Sequence, residues 1–140
     1  MSAKQHVSGP FDVKVTPQKP DTQIARAAAL GRLTIDKRYH GDLEATAKGE
    51  MLATQTETRG SAAYVALERV TGTLQGHNGS FVLQHSATME RGATHSSITV
   101  VPDSGTGQLA GITGEMRIRI DLEGGHSYEF DFRIEAPPAA

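Results

Sequence analysis

Glu68 and His85 are the residues whose types and spacing best suit chemistry. In Tyr64-Val65-Ala66-Leu67-Glu68-Arg69-Val70 an extended strand would put Tyr64, Ala66, Glu68 and Val70 on one side, because successive side chains alternate faces. The same period sets His85 among Phe81, Leu83, Ala87 and Met89 in the next run. A carboxylate and an imidazole facing a dry interior need partners or a purpose. A half-buried Glu68 would serve as general acid or base, and His85 would shuttle a proton or orient a polar substrate near neutral pH. The plainer readings stand beside these. Glu68 pairs with Lys37 or an arginine as a structural ion pair, or it faces solvent while Val65, Leu67 and Arg69 face inward. His85 is a core histidine with one satisfied hydrogen bond.

Lys37 and Tyr39 share a face with Leu33 and Ile35. A buried lysine would be a Schiff-base nucleophile or a counter-ion; the more ordinary expectation is a lysine at a rim with its head in water. Tyr64 and Tyr128 are candidates to line a cavity and donate a hydroxyl. Met51 and Met89 complete the candidate substrate-binding set. The histidines, at positions 6, 40, 77, 85, 95 and 126, show no His-x-His or His-Glu-x-x-His spacing, so no metal site is expected. Asp103-Ser104-Gly105-Thr106-Gly107 lacks the lysine and following helix of a phosphate loop and reads as a turn, and no Gly-x-Ser-x-Gly elbow is present. No cofactor is expected.

The elements that must position these residues read as strands. Met1 to Ser8 reads as a flexible start, residues 9–136 as a single domain and residues 137–140 as a tail. Gly9 to Val15 alternates as a short strand closed by Pro17, and the prolines of Thr16 to Ile24 mark a loop. Ala25 to Leu30 has helix propensity but is short enough to read as a turn or strand lead-in. From Gly31 onward strands follow in succession, with a bend at Gly49, a hairpin turn at Gly76-His77-Asn78-Gly79 and another at Gly124-Gly125. A turn centred at His77-Asn78 predicts Val70 opposite His85, with Glu68 a diagonal neighbour about 7–8 Å away between backbones. About eight strands with short connections and no helical layer allow a sandwich or a closed up-and-down barrel. Closure removes two exposed edges, so an antiparallel eight-stranded barrel is favoured. Its interior is either filled by side chains or holds one small ligand.

Composition narrows the classes. A net charge of −2 over 140 residues with mixed signs gives no basic stripe for nucleic acid. No apolar stretch nears the roughly 20 residues of a membrane helix, and Met1 to Gly9 is not a secretory leader. A soluble, non-membrane protein is expected. The absence of cysteine excludes disulfides and thiol nucleophiles and is compatible with a cytoplasmic location. Apolar residues on both faces of the Tyr64 run, Val65 and Leu67 included, suit a homo-oligomer interface.

Ordered blocks carry a resemblance. They are Gly31 to Lys37, His40 to Leu43, Lys48 to Leu52, Gly60 to Ala66, Glu68 to Gly72, Phe81 to His85 and Val100 to Gly107. Across Phe11 to Phe132 the chain resembles a family of small bacterial proteins of unknown function whose barrel is similar to that of plant allene oxide cyclase. The resemblance implies the fold and brings no established activity. By analogy, relatives of that barrel type steer reactive intermediates in an apolar cavity. The expectation is a small-molecule-binding barrel, of isomerase or cyclase type if it is an enzyme. It would hold an apolar, partly oxygenated ligand, with His85 and Glu68 as the catalytic pair. The alternative is a non-catalytic, homo-oligomeric binding or structural barrel.

Overall fold

The computed structural model of the protein describes residues 3–135. Eight antiparallel strands run in chain order around a closed barrel: β1 Gln5–Gln18, β2 Gly31–Tyr39, β3 Leu43–Gln55, β4 Ala62–Leu74, β5 His77–Glu90, β6 Ala93–Val100, β7 Ile112–Ile120 and β8 His126–Ile134. A short helix, α1 (Gln23–Ala28), lies in the β1–β2 connection, and a 3₁₀ turn, Gly107–Leu109, precedes β7. Tail residues 137–140 lie outside the described residues.

Several local elements differ from the sequence reading, each for a physical reason. β1 starts at Gln5, because Gln5 to Phe11 pair with Phe132 to His126 of β8 and close the barrel. It also runs through Pro17 to Gln18. Proline is tolerated there because the β8 ladder has already ended at Phe11, which leaves the strand a free edge. Ala25 to Leu30 lies partly in a true helix, stabilised by the Thr22 hydroxyl accepting from the Ala25 N–H at 3.0 Å. The β4–β5 hairpin turns at Gln75-Gly76, where both residues have positive φ (48° and 82°), the signature of a two-residue type I′ turn. His77 and Asn78 are therefore already in β5, and Leu74 pairs with His77. The register moves accordingly: His85 stands opposite Ala66, and Val70 opposite Phe81. Glu68, opposite Leu83, remains a diagonal neighbour of His85 from the other side.

The two ends of the barrel are unlike. One is plugged by Val7, Leu43, Leu74, Phe81, Leu109 and Ile112, all buried. At the other end the inward positions thin out. Leu33, Met51, Tyr64 and Ile118 are half-buried, while Val15, Met89 and Ser96 are exposed. This end is a mouth, and α1 lies in a connection beside it without burying a residue. The wall is also uneven. Seven of the eight seams are laddered over seven or more positions, but β6 and β7 share a ladder only where Thr99 pairs with Glu115.

Candidate functional site

Lys37, Glu68 and His85 are the buried charged or polar residues among those described, and the fold brings them to one point. Alternation decides the face: Glu68 is 1% exposed, whereas Val65 and Leu67 are more than half exposed, so the outward alternative for Glu68 does not hold. Its Oε1 atom accepts three hydrogen bonds, from Lys37 Nζ at 3.0 Å, the Tyr39 hydroxyl at 3.0 Å and His85 Nε2 at 2.5 Å. Lys37 is not at the rim with its head in water. It is 6% exposed, and its ammonium lies 5.1 Å from the centroid of the Phe11 ring and 5.6 Å from that of Tyr39, in cation–π range.

The strand between β2 and β4 makes this possible. Opposite Tyr39, Lys37 and Ile35, β3 presents Ala45, Ala47 and Gly49 in turn, and the same three positions face Gly72, Val70 and Glu68 of β4. Small residues keep the level of the cluster clear, so the Lys37 and Tyr39 side chains reach across a whole strand to Glu68. Gly49 is strict: a Cβ there would lie 2.2 Å from the Leu67 carbonyl oxygen and 2.9 Å from the Glu68 Cβ.

Two opposing effects act on Glu68. Burial pushes its carboxyl up, but the hydrogen bond from His85 and the charge of Lys37 outweigh that and hold it below the ordinary carboxylate range. Glu68 is therefore ionised at neutral pH, and a neutral His85 ring must carry its proton on Nε2 to donate to it. The hydrogen bond of the ring is made through Nε2 alone, which leaves Nδ1 without one among the described residues. Glu68 Oε2 is fully buried and accepts nothing. Burial first, and the Glu68 charge second, raise the Tyr39 and Tyr64 phenols above their usual range, so both remain donors. The result is a carboxylate-oriented imidazole with an open acceptor nitrogen, the arrangement from which a general base works.

The other candidates divide by level. The Tyr64 ring is 6.4 Å from His85, centroid to centroid, and Met51 pairs with Ala66, directly across from His85. Met89 is farther up the mouth, 39% exposed. Tyr128 belongs elsewhere: wholly buried, it donates to the His40 carbonyl at 2.8 Å and accepts from the Leu43 N–H at 3.1 Å, bracing the β2–β3 turn at the plugged end. Sequence reasoning missed Phe11 as the partner of Lys37. Its alternation with Val13 and Val15 was visible, but the register that sets it opposite Tyr39 was not. The Ala45-x-Ala47-x-Gly49 stripe was a readable signal for a side-chain passage.

A concavity lies outside the barrel. A groove of about 900 Å³ runs over the outer face of β3 to β5, with Leu52, Val65, Leu67 and Val82 among its walls and Arg32, Lys48 and Arg69 at its margins. Glu68 and His85 also border it, but their side chains point to the other side of the sheet. Among the described residues no cluster of three or more histidine and carboxylate groups is arranged to hold a metal ion. Among the same residues no helix is long and apolar enough to cross a membrane.

Comparison with known proteins places the chain. None of the curated proteins matches it. A crystal structure of a protein of unknown function from the DUF3224 family of Shewanella oneidensis MR-1 superposes with a TM-score of 0.86 at 44% identity, covering 96% of this chain and 100% of the other. The family profile "Protein of unknown function (DUF3224)" matches residues 7–132. A match over nearly the whole barrel, with every residue of the buried cluster inside it, makes this chain a member of the DUF3224 family.

Proposed function

We propose that this barrel binds a small, largely apolar, partly oxygenated molecule at its mouth, over the Lys37–Tyr39–Glu68–His85 cluster. One observation carries the reading: Glu68 grips His85 Nε2 at 2.5 Å and leaves Nδ1 without a protein partner. A purely structural ion pair needs Lys37 and Glu68 alone. In an isomerase or cyclase role, His85 Nδ1 takes a proton from the substrate and forms an imidazolium paired with Glu68. It returns the proton at another atom, so no oxidant or co-substrate is consumed. Glu68 positions His85, Tyr64 donates a hydrogen bond, and Met51 and Met89 supply the apolar wall that holds one conformer. The test is native purification followed by mass spectrometry of small molecules retained by wild type, His85→Ala and Glu68→Ala. A molecule retained by wild type and lost from folded variants supports the interior site. Nothing retained, with variants that lose only stability, turns the reading to a packed structural barrel.

A second reading has its own observation. Leu52, Val65 and Leu67 are 45–55% exposed along the outer groove, which suits a non-catalytic barrel that self-associates. Light scattering of wild type and Leu67→Lys distinguishes them: a mass that falls to one chain in the variant favours assembly through this face.

A further inference from the structure

Resting on the interior-site reading, we infer that the molecule held at the mouth is a hydrogen-bond donor of the phenol class, an aromatic ring carrying a free hydroxyl. Glu68 Oε1 holds the His85 Nε2 proton, so in the neutral ring Nδ1 is an acceptor, and no hydrogen bond to it is made among the described residues. Glu68 Oε2 is also without a partner but is sealed from solvent, so a ligand meets the imidazole rather than the carboxylate. A donor is the group that completes Nδ1.

The cluster also selects against anions. Lys37 is the one buried cationic side chain among the described residues, and its ammonium is taken by Glu68 and enclosed by the Phe11 and Tyr39 rings. A carboxylate or phosphate entering here would meet the negative Glu68 with no free positive charge opposite. The walls choose the rest of the molecule. Tyr64 offers a ring face beside His85, and Met51 and Met89 bring thioethers to the same side of the barrel, which make favourable sulfur–aromatic contacts. An aromatic hydroxyl is also far more acidic than an aliphatic one, so its proton is the easier for an imidazole to share.

The experiment compares three molecules of one shape on wild-type protein by isothermal titration calorimetry: 4-methylphenol, its methyl ether 4-methylanisole, and 4-methylbenzoate. The expected result is 4-methylphenol binding at least tenfold more tightly than either of the others. In His85→Phe that preference disappears while 4-methylanisole affinity is retained. In Met89→Trp, a change at an exposed rim position, all affinity falls. The wild-type comparison needs no variant to fold. If the ether or the benzoate binds as tightly as the phenol, the donor requirement is overturned and the interior site survives. If none of the three binds, the phenol class is overturned. The interior site itself then stands or falls on the retained-molecule experiment above.

Discussion

The buried pair of Lys37 and Glu68 gives the strongest quantitative handle on this barrel. Removing one member of a buried ion pair strands the other, at a cost of about 3–5 kcal/mol, whereas replacing both is far milder. Glu68→Gln keeps the shape and still accepts from His85 and Tyr39, but it leaves the Lys37 ammonium facing an amide and two aromatic rings. Lys37→Met leaves the Glu68 carboxylate on two neutral donors. Each single change should cost about 3 kcal/mol, which for a chain of this length is roughly a 10 °C fall in Tm. The double variant Lys37→Met/Glu68→Gln should lose no more than either single one, giving a coupling energy of about 3 kcal/mol. With no tryptophan in the chain, urea unfolding followed by far-ultraviolet circular dichroism is the suitable assay. pH supplies a second signature. Because the folded-state pKa of Glu68 is lowered, its contribution is fully present above the unfolded value of about 4.3 and fades as pH falls through the lower, folded value. The stability gap between wild type and Glu68→Gln should therefore narrow only in acid. Single losses under about 1 kcal/mol, or a double variant equal to the sum of the singles, would refute the idea that the pair is a coupled, desolvated unit.

Three further outcomes follow from named contacts. Gly49→Ala drives a methyl against the Leu67 carbonyl and the Glu68 Cβ; it should cost about 1–3 kcal/mol and shift the His85 ring resonances, as read by denaturation and NMR. Tyr128→Phe removes the hydroxyl that serves the His40 carbonyl and the Leu43 N–H. A loss of about 1–3 kcal/mol should come without any change in ligand affinity, since Tyr128 lies at the plugged end. Gln75→Asn puts a residue that tolerates positive φ at the first position of the type I′ turn; it should raise stability by about 0.5 kcal/mol, visible as a higher urea midpoint.

Architecture was legible because period-two alternation and glycine-marked turns recur along the chain, and because a sheet of this length with short connections has few ways to hide its edges. The inward face of His85 followed from the same alternation, but apolar residues on both sides of the Tyr64 run left the face of Glu68 open, and its burial against exposed Val65 and Leu67 decides it. Register was harder. Gln75-Gly76-His77-Asn78-Gly79 holds more than one two-residue turn, and local propensity does not choose between Gln75-Gly76 and His77-Asn78. The pairing of thirteen β4 positions with β5 does choose. Lys37 was misplaced at the rim because a single strand says nothing of what stands two strands away. Its burial depends on the small residues of β3 and on a carboxylate from β4. The β1 start was underestimated for a related reason: Gln5 to Ser8 carry little strand signal of their own and are ordered by the far end of the chain.

The β6–β7 seam has a consequence for how this protein breathes. A cylinder laddered on every side opens only by breaking many hydrogen bonds together. Here the wall is fastened on that side at Thr99 and Glu115. Backbone amides of β6 and β7 that face each other across the unladdered stretch should exchange with solvent deuterium by small local openings, while those between β3, β4 and β5 wait for global unfolding. Such motion would part the staves beside Ile98, the cross-strand neighbour of His85. A molecule too wide for the mouth would then have a side door, and the rate of its passage would be set by breathing of the wall rather than by diffusion to the rim.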